Sequence, residues 1–303
     1  MTPRFSKRLA ATLALSLAAS LAPVHAAAGP AAARVQAAPA TLQMGHVSIK
    51  AIGNGPPVIL IPGLSSPRAV WDGVAPDLAK THRVYLVQVN GFGGDDPRSN
   101  LEPGILDGVV AELHAYIREY KLQGAAVVGH SMGGLVGMML AERHPDDIGR
   151  LLVVDALPFI GTIFGADSVD AIEARAGQMR DGIAATHGKP AAAVTKDPGG
   201  NMSITPEGRM KVALWGTQAD PRVVAQAMYE DLTTDLRPRL KAIAPPRFTV
   251  FYAAGMGEAR AKPFWEGAYA GSRASLVAFP RSYHFIMLDE PDAFRTALND
   301  FLK

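Results

Sequence analysis

The stretch Gly129-His130-Ser131-Met132-Gly133-Gly134 decides the reading of this chain. It follows a short apolar run, Ala125-Ala126-Val127-Val128, and leads into a stretch of helical character from Leu135 to Arg143. Around its serine the pattern is Gly-x-Ser-x-Gly. A strand that stops, a sharp turn and a helix that starts at the serine together form a nucleophile elbow, which holds the hydroxyl out of the backbone. Gly129 and Gly133 suit such a bend, because a Cβ at either position would meet the neighbouring chain, and the serine itself carries backbone strain. The helix N-terminus then aims N–H groups and the positive end of its dipole at charge developing beside Ser131. The rival reading is a plain glycine-rich turn. The strand before and the helix after favour the nucleophile.

Outward from this turn, apolar runs alternate with helical patterns. His46–Ile52 and Val58–Ile61 read as two early strands separated by the turn residues Gly53-Asn54-Gly55-Pro56. Arg83–Val89, Ala125–Val128, Leu151–Val154, Arg247–Tyr252 and Ser275–Phe279 read as further buried strands. Ile105, Val109, Leu113, Ile117 and Tyr120 recur at helical spacing and predict an amphipathic helix over 105–121. Pro291 suits a first helical turn, and Phe294, Ala297, Leu298, Phe301 and Leu302 make the apolar face of a C-terminal helix. The alternation predicts an α/β fold: a mostly parallel central β-sheet flanked by helices. Between Leu157 and Ala244 the rhythm fails. Helical pieces near 167–185, 206–216 and 221–234 stand there without a convincing strand, which predicts a helical cap over 157–244 inserted into a core of 42–156 and 245–303.

The N-terminus is a separate matter. Arg4, Lys7 and Arg8 precede an apolar run from Leu9 to Leu21, and Val24-His25-Ala26 places small residues at −3 and −1 of a cleavage site. That order is a secretory signal peptide over 1–26, followed by an alanine- and proline-rich disordered lead-in over 27–41. The apolar run is too short for a permanent membrane anchor. The expected location is the periplasm or the exterior. Removing residues 1–26 takes the formal net charge from +2 to −1. No basic stripe with interleaved aromatics is present, so nucleic acid is not expected as a partner. The chain has no cysteine, which excludes disulfides, a thiolate nucleophile and cysteine-ligated zinc. No His-Glu-x-x-His cluster is present, and no cofactor or metal is expected. Gly91-Phe92-Gly93-Gly94 lacks the spacing of a phosphate cradle and reads as a tight turn. The sequence does not fix an oligomeric state.

Five segments in order carry a resemblance to the α/β-hydrolase fold serine hydrolases, from about residue 42 onward. Ile59-Leu60-Ile61-Pro62-Gly63-Leu64, with Trp71-Asp72 after it, resembles the family's oxyanion loop, and Asn90-Gly91-Phe92-Gly93-Gly94 resembles the turn after the next strand. The Ser131 elbow, the insertion, and Ser282-Tyr283-His284-Phe285 before a final helix complete the series. The resemblance implies a nucleophile, an acid and a histidine in that chain order.

A serine hydroxyl attacks well only when a base takes its proton, and the base is ordinarily a histidine oriented by a carboxylate. Of eight histidines, His144, His187 and His284 follow the elbow. His144 sits at a helix C-terminus and His187 in a loop of the insertion, whereas His284 directly follows a late strand and is the expected base. His130 is expected to be structural. The family's commonest acid position corresponds to Ala253-Ala254-Gly255-Met256-Gly257-Glu258, which lacks the aspartate. A second family solution puts the acid after the preceding strand, here Val153-Val154-Asp155. Asp155 is therefore the first choice, with Glu258 and then Asp289 behind it; a turn or helix cap is the bland reading of Asp155. The resemblance places the oxyanion donors at the backbone N–H groups of Leu64 and Met132. Pro62 stands where the family often has histidine.

A serine at the nucleophile position favours an acyl-enzyme mechanism; dehalogenases and epoxide hydrolases of this fold would want an aspartate there. The expected activity is hydrolysis of a small-molecule carboxylic ester or lactone, mostly apolar. Phe159, Ile160, Ile163, Phe164, Trp215, Met228 and Tyr229 give the insertion an apolar character, and most are expected to hold it onto the sheet. Two alternatives stay open. An aminopeptidase or amidase would need a cap carboxylate for the free amine, for which Glu173, Glu207 or Glu230 are candidates. A catalytically silent binding protein is the other.

Overall fold

Apolar runs flanked by turn residues become neighbouring strands here, because only lateral pairing satisfies the backbone of a segment buried on both faces. The computed structural model describes residues 40–303. The signal peptide at 1–26 and the lead-in up to residue 39 lie outside the described residues, and Thr41 already belongs to a strand. The strands are β1 (Thr41–Gln43), β2 (Val47–Ile52), β3 (Pro57–Ile61), β4 (Arg83–Val89), β5 (Ala125–His130), β6 (Ile148–Val154), β7 (Arg247–Ala253) and β8 (Ser275–Phe279). The helices are α1 (Ala75–Leu78), α2 (Ile105–Glu119), α3 (Met132–Arg143), α4 (Val169–Ala184), α5 (Pro206–Gln218), α6 (Pro221–Thr233), α7 (Glu258–Ala268), α8 (Ile286–Asp289) and α9 (Pro291–Leu302). Among the described residues the strands form one sheet in the order β1-β2-β4-β3-β5-β6-β7-β8, parallel from β4 to β8.

The period of two along each strand sends alternate side chains to opposite faces. Ile59, Ile61, Val127, Leu151 and Val153 join one core with Val109, Leu113 and Ile117 of α2 and Leu135 and Val136 of α3. Val58, Leu60, Val128, Leu152 and Val154 join the other with Trp71, Phe294, Leu298 and Phe301. Each such side chain contributes roughly 1.5–3 kcal/mol by leaving water. Two hydrophobic cores back to back explain why the strands read as unbroken apolar runs.

One pairing departs from the sequence reading. β2 and β3 follow each other across the Gly53–Pro56 turn but do not pair; β4 lies between them, antiparallel to β2 and parallel to β3. Helix α7 was also not expected, since Glu258-Ala259-Arg260-Ala261-Lys262-Pro263 offers neither a clear apolar stripe nor an uninterrupted run of helix formers.

Between β6 and β7 lie a 3-10 turn (Ile160–Phe164), α4, α5, α6 and a 3-10 stretch (Arg237–Ala242), with no strand among these residues. Phe159, Ile172, Ala176 and Leu232 form a small core of their own, while Val223 and Ala227 join one face of the sheet and Trp215 the other. The Thr205 hydroxyl and the Asp220 carboxylate cap α5 and α6, each ahead of a proline at the first helical position. The Glu230 carboxylate accepts from the N–H groups of Gly104, Ile105 and Leu106 at 2.7, 3.1 and 2.8 Å, so a residue of the insertion caps α2. Among the described residues no helix is long and apolar enough to cross a membrane.

Candidate active site

Three parallel strands deliver their C-terminal ends to one place, and the turn after each carries a polar side chain. At the end of β5, Ser131 has φ 52° and ψ −126°, a conformation costing a non-glycine residue about 1–3 kcal/mol. The surroundings hold it there. A Cβ on Gly129 would overlap the Gly133 carbonyl, and one on Gly133 would come within 2.5 Å of the Ile61 and Pro62 oxygens. The Ser131 N–H donates to the Val154 carbonyl at 2.9 Å, and its own carbonyl accepts from Gly134 at 2.7 Å. Ser131 Oγ does not cap α3, and among the described residues it makes no hydrogen bond. The hydroxyl is left to the cavity.

Asp155, at the end of β6, also has a positive φ of 49°, a region that aspartate tolerates better than most residues. Its N–H donates to the Phe251 carbonyl at 2.8 Å. One carboxylate oxygen accepts from the Ala253 N–H at 2.7 Å, and the other accepts from His284 Nδ1 at 2.7 Å. An ionised carboxylate only accepts, so the proton of the neutral imidazole sits on Nδ1 and Nε2 is left as the acceptor. The last residue of β7, just before the turn where the sequence lacks an aspartate, therefore supplies a backbone N–H to the carboxylate at the end of the neighbouring strand. A side chain on Gly255 would come within 2.5 Å of the Ser282 carbonyl, which keeps this turn close to the histidine loop.

His130 shores up that loop from below. Its Nε2 donates to the His284 carbonyl at 3.0 Å, and its ring lies against those of His284 and Phe285 with centroids 4.7 and 4.6 Å away. Full burial, and next the nearby His284, hold its pKa well below the ordinary histidine value, so it stays neutral. Its Nδ1 has no partner among the described residues. Asp289 is a clamp: it accepts from the N–H of Tyr283 at 2.8 Å, from the N–H of Ile204 at 3.1 Å and from the Ser203 hydroxyl. Glu258 is exposed at the start of α7, and His187 is exposed in its loop. His144 caps α3 with its ring stacked on His114, centroids 3.6 Å apart. Neither the Leu64 nor the Met132 N–H has an acceptor among the described residues, and Leu64 borders the cavity.

Ser131, Asp155 and His284 open on a cavity of about 740 Å3 between the sheet edge and the insertion. Its walls are largely apolar. Ile160, Ile163, Phe164 and Met228 line it, so four of the seven apolar residues singled out in the insertion face the cavity, more than the sequence reading allotted. Phe159, Trp215 and Tyr229 instead pack the insertion onto itself and the sheet. Glu173, Glu207 and Glu230 stay out of the cavity. The carboxyl group that does enter is Asp231, one residue from Glu230 and about 100° further round the helix. A signal existed: Val223, Ala227 and Asp231 recur every four residues on the buried face of α6.

A family model described as alpha/beta hydrolase fold matches residues 56–179. The enol-lactonase of Burkholderia xenovorans superposes with a TM-score of 0.65 over 84% of this chain and 96% of that one, at 23% identity. A thermophilic esterase of Thermogutta terrifontis gives 0.68 over 86% and 97%, at 18% identity. The chain has the α/β-hydrolase fold. Within it, a pimeloyl-[acyl-carrier protein] methyl ester esterase of Aeromonas hydrophila is 35% identical over 112 residues, 37% of this chain and 42% of that protein. A fluoroacetate dehalogenase of a Burkholderia species is 29% identical over 144 residues, 45% of each. The chain thus spans less than half the length of these curated relatives.

Proposed function

We propose that this α/β-hydrolase-fold protein is a serine hydrolase that cleaves carboxylic esters or lactones of small, mostly apolar substrates through an acyl-enzyme. One observation carries the reading: an uncommitted serine hydroxyl on a strained elbow shares a largely apolar cavity with His284, whose Nδ1 is tied to Asp155 at 2.7 Å. In this reading Ser131 Oγ attacks the carbonyl while His284 Nε2 takes its proton, and Asp155 stabilises the imidazolium. The free N–H groups of Leu64 and Met132 receive the oxyanion, each contributing ~3 kcal/mol of transition-state stabilisation. The proton then passes from His284 to the leaving oxygen, and water activated by the same imidazole releases the acid. Hydrogen bonds of this kind are commonly long without substrate and close on it, which accommodates the unbonded hydroxyl.

The esterase and enol-lactonase among the relatives agree in reaction class. The dehalogenase points elsewhere, but a serine stands at the position where that chemistry would want a carboxylate. Labelling by a fluorophosphonate probe tests the proposal: wild type is expected to react and Ser131→Ala not to. Absence of labelling under conditions that label a control esterase would remove the nucleophile and leave a binding protein. Residues 157–244 act in this scheme as the cap that sets the acyl pocket. Export to the periplasm or beyond is part of the proposal and rests on Arg4 to Ala26; mass spectrometry of the secreted or periplasmic protein is expected to find Ala27 at its N-terminus.

A further inference from the structure

Asp231 belongs to none of the steps above, yet it faces the same space. It is 5% exposed, on the buried side of α6, and lines both the large cavity and a recess of about 110 Å3 that Ser131 and His284 also border. Among the described residues no N–H, hydroxyl, lysine or arginine pairs with its carboxyl group. The contrast with Glu230 beside it is sharp, since that carboxylate collects three backbone N–H groups and the Gln226 amide. A carboxyl group without a partner in an apolar site is costly in its charged form. Because Asp231 lines the cavity, a cation that enters it can reach the carboxyl group and stabilise its charged form.

The chemistry of the surroundings narrows the ligand. The titratable side chains sharing the cavity are His130, Asp155, Tyr283, His284 and the exposed Arg260 at its border. Asp155 is engaged with His284, and His130 is neutral. On α4, which packs against α6, Glu173 and Arg180 are occupied with Tyr229. Burial pushes the Asp231 pKa up to about 7, and His284 pulls the other way. A hydroxyl would give Asp231 a hydrogen bond but leave its charge buried, whereas a protonated amine supplies both the bond and the countercharge. The recess is much smaller than the main cavity, and Ser131, Asp231 and His284 border it together. A group touching Asp231 there lies close to whatever Ser131 attacks.

We propose that Asp231 receives a protonated amine on the acyl part of the substrate, next to the carbonyl that Ser131 attacks, so that the cavity prefers aminoacyl esters or amides to plain acyl ones. This keeps the serine hydrolase reading, on which its kinetic arm rests, and replaces the plain apolar acyl group of that reading with an aminoacyl one. That arm compares the benzyl esters of 2-aminobutyrate, 2-hydroxybutyrate and 2-methylbutyrate near pH 7, where the amino ester is still largely protonated. Wild type is expected to favour the amino ester over the methyl isostere in kcat/KM by about tenfold to a hundredfold, the usual worth of a hydrogen bond to a charged partner. In Asp231→Asn and Asp231→Leu that ratio should collapse towards one. An unchanged ratio in both variants, or a wild-type preference for the hydroxy ester, overturns the proposal.

The second arm needs no turnover. Titration of n-butylamine into Ser131→Ala protein should raise its melting temperature, and the same amine should leave the Ser131→Ala/Asp231→Asn double variant unmoved. No shift in Ser131→Ala overturns the amine site. A shift confined to intact Asp231, in a protein that hydrolyses none of the three esters, keeps the amine site and removes the hydrolase reading instead.

Discussion

Asp155 and Asp231 enter one cavity from two regions built on different terms, the carboxyl edge of the sheet and the helical cap. Asp155 is held by its strand: its N–H, both carboxylate oxygens and its positive φ are each specified by β7 and the histidine loop. Asp231 rides on a helix that has satisfied its own backbone and leaves the side chain unpaired. The sheet edge fixes positions to within a hydrogen bond, as catalytic geometry requires. The cap fixes only which faces are buried. In the proposed reading, reaction type and substrate choice therefore sit in separate parts of the chain and should respond to different substitutions.

The largest effect should come from breaking the sheet side. Asp155→Asn, which removes the charge that selects the His284 tautomer, should lower kcat on an ester by roughly 10^3–10^4-fold. Glu258→Gln should leave it near wild type. Steady-state kinetics on both variants decides, and the opposite pattern would move the acid to the β7 turn. Next is Gly129→Ala. Its Cβ has nowhere to go but into the Gly133 carbonyl, so a loss of about 4 kcal/mol or more, among the larger single-substitution effects, should appear in urea denaturation.

Asp231 gives a smaller, pH-dependent signature from the cap side. Its folded pKa of about 7 lies above the ordinary 3.8 because burial opposes the charge. Between those values the folded state binds more protons than the unfolded one, so stability falls as pH rises. The contribution is intact below about pH 4 and gone above about pH 7, with a full span on the order of 4 kcal/mol. Asp231→Asn should flatten that slope. Melting curves of both proteins from pH 4 to pH 8 test it, and parallel curves would mean the carboxyl group is solvated. The smallest effect has the opposite sign. Gly177→Ala in α4 meets nothing within 4 Å, and should raise stability by about 0.5–1 kcal/mol through helix propensity, seen as a higher melting temperature. Alanine at a glycine should thus harm the sheet edge and help the cap.

What could be read from the residues themselves follows the same division. The strands Arg83–Val89 and Ser275–Phe279 were legible to the residue, because an apolar run ended by turn residues carries its own boundaries. The Gly53–Pro56 turn was legible as a turn, but β4 entering between β2 and β3 was not, since strand pairing is a choice among distant partners. Helix α7 was hidden by Pro263 and a weak apolar face. In the cap, Glu230 was a natural candidate for an interior carboxylate and Asp231 the one that enters, a difference of helix phase that only docking against the sheet resolves.

By itself the sequence determined the α/β alternation, the Ser131 elbow and the helical insertion. All three are written in spacings of a few residues, where local sterics and hydrophobic period decide the outcome. Tertiary structure alone decided that β7 lends a backbone N–H to Asp155, that Glu230 caps a helix of the core, and that Asp231 faces the cavity unpaired. Each of those depends on which of two chemically similar groups, far apart along the chain, is nearer once the two hydrophobic cores have closed.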